Sequence, residues 1–400
     1  MNRERFDAIL IAMILSEDSV SDVLFIPGRV PQLSCYGRLR SYTGELITEP
    51  VSAEMTAQLA EILIGGNALI AESFRKNGSC DCSYAVPGVA RFRVNVYLQG
   101  GHRAIAMRKL SNTVPQLEDL GVPPVFEQII NENAGLVFIT GATGTGKTTT
   151  LAAILNEINR TQDIHVVTLE DPIEYLHEPI RSSFSHREYG KDFFNFSFGL
   201  RAALRQAPHA ILVGEIRDRE TMEVAITAGE TGHIVFTSLH TINASQTISR
   251  ILGMFDKDEE MLMRQRLADA LRWVVSQRLV PRVDGGLHLV TEVMGNNLRS
   301  REVIIAGESD KHNLHEIIES SVTPWGWHSF EQSLLNAVLA GNISPDTALH
   351  YSSHKNQMQQ ALDKYTAGRV TAPVHRMSDP AALAENPALA ETPALAETPA

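Results

Sequence analysis

The pattern of apolar and polar positions changes near Gly135. Before it, residues 90–107 alternate large apolar with polar residues around a Gly100-Gly101 turn, which is typical of a β-hairpin. The apolar run from Ile9 to Leu15 predicts the buried face of a first helix, because it is far too short to cross a membrane. We therefore predict an N-terminal domain over residues 1–112 and a polar, proline-bearing linker over residues 113–134.

After Gly135 the chain alternates between short apolar runs and helical segments. Runs at residues 136–140, 165–170, 210–215 and 233–239 have the length of buried parallel strands. This alternation predicts a doubly wound α/β core over residues 135–366, with loops gathered at the carboxyl ends of the strands. Ligands of open parallel sheets usually bind at that edge.

The last third of the chain gives two further expectations. Beyond Asp258 the pattern becomes mostly helical, and the spacing of Leu267, Leu271, Val274 and Val275 predicts one inward-facing helix stripe.

Residues 367–400 form a Pro/Ala-rich repeat tail. Prolines recur every six residues at positions 387, 393 and 399, which prevents a continuous helix, and little apolar bulk is present. We expect a disordered tail, with a partner-binding peptide as the alternative.

The strongest chemical signal is the segment that follows the first of these strands. It matches the phosphate-binding pattern GxxxxGK[ST] between a strand and a helix, and the alternative is a chance glycine-rich turn. Backbone N–H groups would cradle the phosphates of ATP, Lys147 would reach the β- and γ-phosphates, and the Thr148 hydroxyl would ligate Mg²⁺. The predicted binding residues are Gly141, Ala142, Thr143, Gly144, Thr145, Gly146, Lys147, Thr148 and Thr149.

Carboxylates follow two neighbouring strands. Glu215 is a candidate second ligand of the metal shell, and a solvated loop carboxylate is the alternative interpretation. Glu170, Asp171 and Glu174 follow another strand, and any of the three could orient the attacking water. Their spacing alone leaves this choice open.

Histidines and arginines supply the remaining candidates. His240 is expected at the phosphate edge, as a γ-phosphate sensor or as a structural histidine, whereas His233 is expected at the opposite end of its strand. Arginines on the predicted hairpin could complete the phosphate site of a neighbouring subunit, or they could simply form an exposed strand face. These are Arg91, Arg93, Arg103 and Arg108.

Net charge, cysteine count and hydropathy argue against several classes of function. A net charge of −12 and a pI near 5.6 argue against a nucleic-acid partner. Three cysteines fit neither a disulfide framework nor a spaced zinc motif, and Cys80-x-Cys82 has no fourth ligand nearby. No integral membrane segment or signal peptide is predicted, so we expect a cytoplasmic protein.

Taken together, several motifs resemble the secretion and type IV pilus motor ATPases, and within them the pilus retraction (twitching motility) ATPases. The resemblance spans roughly residues 5–365. It rests on GATGTGKTTT as the Walker A box, VVTLEDPIEY (166–175), LRQAPHAILVGEIRDRETM (204–222), ETGHIVFTSLHT (230–241), RFRVN (91–95) and GWHSFEQSL (326–334).

The resemblance implies a RecA-like P-loop core, an N-terminal α+β PAS-like domain and a homo-hexameric ring. It also implies ATP-driven pilin disassembly through an inner-membrane platform protein, a paralogous retraction ATPase as a further partner, and a peripheral position at the inner-membrane pilus base.

The resemblance also implies residue roles. Glu174 would be the catalytic glutamate and Glu215 the Walker B residue, while His240 would sense the γ-phosphate. Arg93 and Arg108 would be offered across a subunit interface. The alternatives are an assembly or secretion ATPase of the same superfamily, or a non-catalytic ATP-binding regulator of a paralogous motor.

Three parts of the chain depart from the family pattern, one of which is the segment 295–301 (GNNLRSR) at a helix start. His209-Ala210 stand where the family has Asp-Val, which could alter polarity near the site, and Gly100 stands where relatives often carry arginine.

Overall fold

Two β-sheets organise the chain in the computed structural model, which describes residues 1–111, 113–309, 312–321 and 326–366. The first sheet has six strands and the second has seven, and separate hydrophobic clusters pack against each of them. The mixed α/β architecture agrees with the predicted fold class.

The N-terminal sheet is antiparallel throughout, in the order β3-β2-β1-β6-β5-β4. Its elements are α1 (Arg3–Leu15), β1 (Val20–Phe25), β2 (Gln32–Cys35), β3 (Arg38–Ser41), α2 (Ala53–Ile64), α3 (Ala68–Asn77), β4 (Ser79–Val86), β5 (Ala90–Gln99) and β6 (His102–Leu110). The predicted first helix and the predicted hairpin are both confirmed, and the hairpin turns at Gly100-Gly101.

Strict alternation sorts the side chains of β5 onto two faces. Phe92, Val94 and Val96 are fully buried in the N-terminal core. Successive strand residues point to opposite faces, so Arg91 and Arg93 lie on the other face of the sheet. The hairpin therefore presents its arginines away from its own core.

The cysteines of β4 belong to that core. Cys80 and Cys82 are free and buried, and burial raises the pKa of the Cys82 thiol to about 12. Such a thiol is a packed apolar side chain rather than a ready metal ligand.

The second sheet has the order β13-β12-β7-β11-β10-β8-β9, in which every pair is parallel except β12 with β13. Its strands and covering helices are α4 (Phe126–Ile130), β7 (Gly135–Thr140), α5 (Lys147–Thr161), β8 (His165–Glu170), β9 (Ser183–Glu188), α6 (Phe196–Ala203), β10 (Ala210–Val213), α7 (Arg219–Glu230), β11 (Ile234–Leu239), α8 (Ala244–Leu252), α9 (Glu260–Ala270), β12 (Leu271–Pro281) and β13 (Leu287–Gly295). All four predicted parallel strands are confirmed, although β10 ends two residues before Glu215.

The predicted helix through Leu267 and Val275 is wrong. Helix α9 ends at Ala270, and Leu271 begins a strand that pairs in parallel with β7. Leu271, Val274 and Val275 are all fully buried, because this strand lies inside the sheet and is covered on both faces. A strand that is buried on both faces has no two-residue period, so its apolar run imitates a helix stripe.

The region after β13 is helical, as expected for the end of the ATPase part. It contains α10 (Leu298–Ala306), α11 (Leu314–Ser320), α12 (Phe330–Leu339), α13 (Pro345–Tyr351) and α14 (Lys355–Thr366). A third hydrophobic cluster joins α12 and α14 to β12 and β13, through side chains such as Phe330, Met358 and Val280. The predicted repeat tail at residues 367–400 lies outside the described residues.

Part of the predicted linker, residues 118–130, forms helical turns. Glu118–Leu120 form a short 3₁₀ turn, and Phe126, Ile129 and Ile130 of α4 pack into the core of the second sheet. Within the described parts of the chain, no helix is both long and apolar enough to span a membrane.

The central strand β11 gives a test of this core. Phe236 is 0% exposed and Phe198 is 66% exposed. Phe236→Ala should lower the free energy of unfolding by about 3–5 kcal/mol, because it leaves a cavity between close-packed elements. Urea denaturation followed by tryptophan fluorescence measures the free energy of unfolding. The fluorescence reports on the ATPase part of the chain, because all three tryptophans lie beyond residue 270. Phe198→Ala is the matched control, and an equal loss in both variants would contradict the assigned core.

Candidate nucleotide-binding site

The glycine-rich segment forms a tight loop at the carboxyl end of β7. Helix α5 starts at Lys147 directly after Gly146, whose φ of 86° is in the left-handed region that favours glycine. A Cβ at Gly141 would lie 2.6 Å from the carbonyl oxygen of Gln277. The loop therefore requires glycine at both ends, and it aims the N-terminus of α5 at the loop's concave side.

Lys147 is folded against this loop. Its Nζ donates to the carbonyl oxygens of Gly141 at 2.8 Å and Ala142 at 3.0 Å, and the residue is buried. Burial lowers the pKa of Lys147, whereas the nearby Glu215 carboxylate acts in the opposite direction. An ammonium group is thus held against the start of the loop, by two of the loop's carbonyl oxygens.

A polar chain connects Lys147 to two neighbouring strands. The Nδ1 of His240, just after β11, lies 3.4 Å from Lys147 Nζ, and its Nε2 lies 3.3 Å from Glu215 Oε1. An ammonium group can only donate, so Nδ1 accepts and the imidazole proton is assigned to Nε2, facing Glu215. The predicted position of His240 at the phosphate edge agrees with this geometry.

Arg217 completes the chain and was missed by the sequence reasoning. Its Nη2 lies 2.7 Å from Glu215 Oε2, so the carboxylate is held between Arg217 and His240. The available signal was only that Arg217 stands two residues after Glu215 in the loop that follows β10.

The structure separates the three carboxylates that spacing could not rank. Glu170, at the end of β8, is buried and its Oε2 accepts a hydrogen bond from the backbone N–H of Glu174 at 3.4 Å. Burial raises the pKa of Asp171. Glu174 is the carboxyl whose surroundings include the Thr148 hydroxyl, so it is the one that lies beside the first turn of α5.

The electrostatic environment of Glu174 is mixed. Burial is the largest cause that raises the pKa of Glu174, and the neighbouring Glu170 carboxylate adds to the rise. Arg93, the Thr148 hydroxyl and Arg108 lower it. A carboxyl with a raised pKa is a better proton acceptor once it is ionised.

The hairpin arginines occupy different places. Arg93 and Arg108 lie within electrostatic reach of Glu174 of the same chain, and Arg108 also pairs with Asp22 at 2.9 Å. Their predicted role across a subunit interface stays a prediction. Arg103 instead contacts Glu61 on helix α2, at 3.3 Å.

Arg91 joins the N-terminal hairpin to the segment that carries Glu174. Its guanidinium donates to the carbonyl oxygens of Ile173 and Glu174, the latter at 3.4 Å. Two more bonds cross the same junction, because Ser83 donates to the Glu188 carboxylate at 2.7 Å and Lys191 donates to the Ser83 hydroxyl. In the sequence, Arg91 was only one of four candidate arginines on the predicted hairpin.

Two histidines lie away from the site. His209 pairs with His165 at the starts of β10 and β8, so it lies at the opposite edge of the parallel sheet from the loop. The expectation that the His209 departure could alter polarity near the site is therefore wrong. His233 likewise precedes β11 and faces the carbonyl oxygen of Ala228 at 3.3 Å, as expected for the far end of the strand.

The donor set suits Mg²⁺ as well as a nucleotide. Thr148 offers a hydroxyl on the first turn of α5 and Glu215 offers a carboxylate, and oxygen ligands of this kind are those that Mg²⁺ prefers. Both residues connect to the loop, Thr148 directly and Glu215 through His240 and Lys147.

Comparison with known proteins gives a consistent result. The family model described as "Type II/IV secretion system protein" matches residues 85–316. A protein of Neisseria gonorrhoeae named "Twitching motility protein" is 38% identical over 286 residues, which cover 71% of this chain and 76% of that protein. A Pseudomonas aeruginosa protein named "Type IV pilus ATPase PilU" is 33% identical over 355 residues, covering 88% of this chain and 90% of that protein.

Solved structures give the same picture at the level of the fold. The structure titled "Crystal Structure of the Pilus Retraction Motor PilT and Bound ADP" superposes with a TM-score of 0.78 at 32% identity, and the match covers 88% of this chain and 98% of that chain. The Legionella pneumophila ATPase DotB superposes with a TM-score of 0.74 at 28% identity, covering 86% and 94%. With a family model matched over more than half of its length and a P-loop site assembled at the sheet edge, the chain belongs to the type II/IV secretion system protein family and is a nucleotide-binding ATPase of that family.

Proposed function

We propose that this protein is a hexameric ATPase motor that couples ATP hydrolysis to type IV pilus retraction. The relatives named for twitching motility and pilus retraction support this proposal, since two of them are 38% and 40% identical to this chain. The observation that carries the chemistry is the convergence of Lys147, His240, Glu215 and Glu174 on one phosphate loop.

The chemistry of the site follows from those contacts. Lys147 and the loop N–H groups bind the phosphates, and Thr148 with Glu215 would hold Mg²⁺, which neutralises phosphate charge when bound. Glu174 accepts the proton of the attacking water, because its carboxyl lies near Thr148 and has its pKa raised by burial. His240 links the phosphate-binding lysine to Glu215 and so reports the state of the phosphates.

Arginines from the N-terminal domain give the site its mechanical coupling. Arg91 holds the backbone at Glu174, and Arg93 acts on the Glu174 carboxyl through its charge. A change of the phosphate charge thus alters the forces between the N-terminal hairpin and the ATPase domain. In a homo-hexameric ring, such domain motion would act on an inner-membrane platform protein, with a paralogous retraction ATPase as a second partner, at the cytoplasmic side of the pilus base.

ATP turnover tests the enzymatic part of this proposal. Lys147→Ala should lose both Mg·ATP binding and turnover, because the phosphates lose their only loop ammonium. Glu174→Gln should keep Mg·ATP binding but lower kcat by at least about 10²-fold, since it removes the proton acceptor. Titration calorimetry and steady-state phosphate release measure the two effects.

The matched control is Glu223→Gln, which removes an exposed carboxylate on helix α7, outside the site. It should turn over ATP like the wild type. Turnover in the wild type no faster than in Lys147→Ala would exclude a motor and favour the non-catalytic regulator.

The pH dependence of turnover tests the role of Glu174 separately. A base must be ionised, so activity should fall on the acid side at a higher pH than an ordinary glutamate would give, since burial raises the pKa of Glu174. Arg93 lowers that pKa, so Arg93→Gln should move the acid limb to still higher pH. Arg103→Gln is the control, because Arg103 pairs with Glu61. An acid limb that stays in place or moves to lower pH in Arg93→Gln would rule out this assignment.

The direction of pilus movement is tested in cells. A strain that lacks this protein should carry long, unretracted pili and lose surface motility, and electron microscopy with a motility assay measures both. Wild-type protein and Glu223→Gln should restore motility, whereas Glu174→Gln should not. Absence of pili in the deletion strain would instead indicate an assembly ATPase.

A further inference from the structure

We propose that His315, Glu331 and His354 form a binding site for a divalent transition-metal ion, with Zn²⁺ as the best fit, in the C-terminal helical region. Each of the three residues offers one ligand atom, and these atoms lie within 4.8 Å of one another. The group is distinct from the nucleotide site and plays no part in the proposed hydrolysis. The proposal does not depend on the protein being a retraction motor.

Three separate elements bring these side chains together. His315 lies in the first turn of α11, Glu331 lies in the first turn of α12, and His354 directly precedes α14. The rings of His315 and His354 stack with centroids 4.5 Å apart. This stacking aligns two imidazoles beside one carboxylate, although the residues are separated by up to 39 positions in the chain.

Glu331 is held rigidly for this task. The residue is buried, and its Oε1 accepts hydrogen bonds from the Ser352 hydroxyl at 2.9 Å and from the backbone N–H groups of Ser353 at 2.9 Å and His354 at 3.0 Å. All three bonds converge on Oε1, so the other carboxylate oxygen, Oε2, can coordinate an ion. The same bonds fix the position of His354 relative to the carboxylate.

Glu319 lies beside the group and anchors it further. Its Oε1 lies 3.6 Å from His315 Nε2, and it accepts hydrogen bonds from Ser329 Oγ at 3.1 Å and Gln357 Nε2 at 2.9 Å. A carboxylate in this position either orients the imidazole or becomes a fourth ligand.

A small cavity of about 50 Å³ opens onto the three residues. It is larger than one water molecule requires, so it can hold an ion together with a water ligand. Its remaining lining is mostly polar and includes Asn243, Ser245, Glu292 and Ser353. A hydrophobic ligand is thus disfavoured, and a hydrated cation fits.

The ligand types select the metal. Two imidazole nitrogens and one carboxylate oxygen are a donor set that Zn²⁺ accepts, whereas Mg²⁺ and Ca²⁺ prefer oxygen ligands alone. Zinc–ligand distances of about 2.0–2.1 Å put tetrahedral ligands about 3.4 Å apart, so side-chain movements of about 1 Å close the set around an ion.

The site would join the C-terminal helices to the segment of the ATPase domain that follows His240. Asn243 and Ser245 of the cavity wall begin helix α8, three residues or more after His240. Glu292 of the same wall accepts the backbone N–H of Ala244 at 2.8 Å. A bound ion would therefore fix α11, α12 and the start of α14 against the start of α8.

The test is metal binding by the full chain after removal of metals with a chelator, in buffer without nucleotide or magnesium. Titration with Co²⁺, read by its visible ligand-field absorption, and with Zn²⁺, read by calorimetry, should show one site per chain. His315→Gln and His354→Gln should each weaken that binding at least about tenfold. Zn²⁺ should also raise the Tm of the wild type but not of these variants.

Two further variants test whether metal binding depends on these three residues in particular. His350→Gln removes an exposed histidine of α13 outside the group and should bind like the wild type. Glu331→Gln keeps the size of the side chain and should also weaken binding, with circular dichroism as the check on folding. The proposal is overturned if the wild type takes up no equivalent of either ion, or if His315→Gln and His354→Gln bind as tightly as His350→Gln.

Discussion

The contact between the Lys147 ammonium and the phosphate loop is the interaction on which the nucleotide site depends. The ammonium donates to the Gly141 and Ala142 carbonyls and lies 3.4 Å from His240, so one charge connects the loop, helix α5 and strand β11. The His240 ring in turn contacts one oxygen of the Glu215 carboxylate, and Arg217 pairs with the other oxygen. Parallel pairing of β7 with β11 and of β11 with β10 brings these residues to one edge of the sheet.

A second constraint acts at the junction of the two sheets. Arg91 donates to the backbone carbonyls of Ile173 and Glu174. The Glu188 carboxylate accepts a hydrogen bond from Ser83 and pairs with Lys191. The backbone of Glu174, the proposed proton acceptor, is therefore held by the N-terminal hairpin. In the proposed mechanism this arrangement would couple hydrolysis to domain movement, because the segment that carries Glu174 also forms the junction between the two sheets.

The C-terminal helices add a third polar centre, built around Glu331. Its carboxylate closes the turn at residues 352–354 and lies with His315 and His354 beside the start of α8. Since α8 begins four residues after His240, the region after β13 contacts the segment that follows the candidate nucleotide site.

Sequence alone determined the local features whose physics is local. The glycine pattern before Lys147 predicts the phosphate loop because glycine readily accepts its backbone angles. The apolar runs predict β7, β8, β10 and β11 because parallel strands that are buried on both faces consist mostly of apolar residues. Local pattern failed at β12, where burial on both faces removed the two-residue period and imitated a helix.

Tertiary structure decided everything that depends on residues far apart in the chain. The choice of Glu174 over Glu170 and Asp171 needed its position near Thr148, and the contacts of Arg91 and Arg217 were visible only with their partners in place. The remote position of His209 needed the strand order. Hydrogen bonds and charge pairs act over a few ångströms in space, whereas spacing in a sequence encodes distance only within one helix or strand.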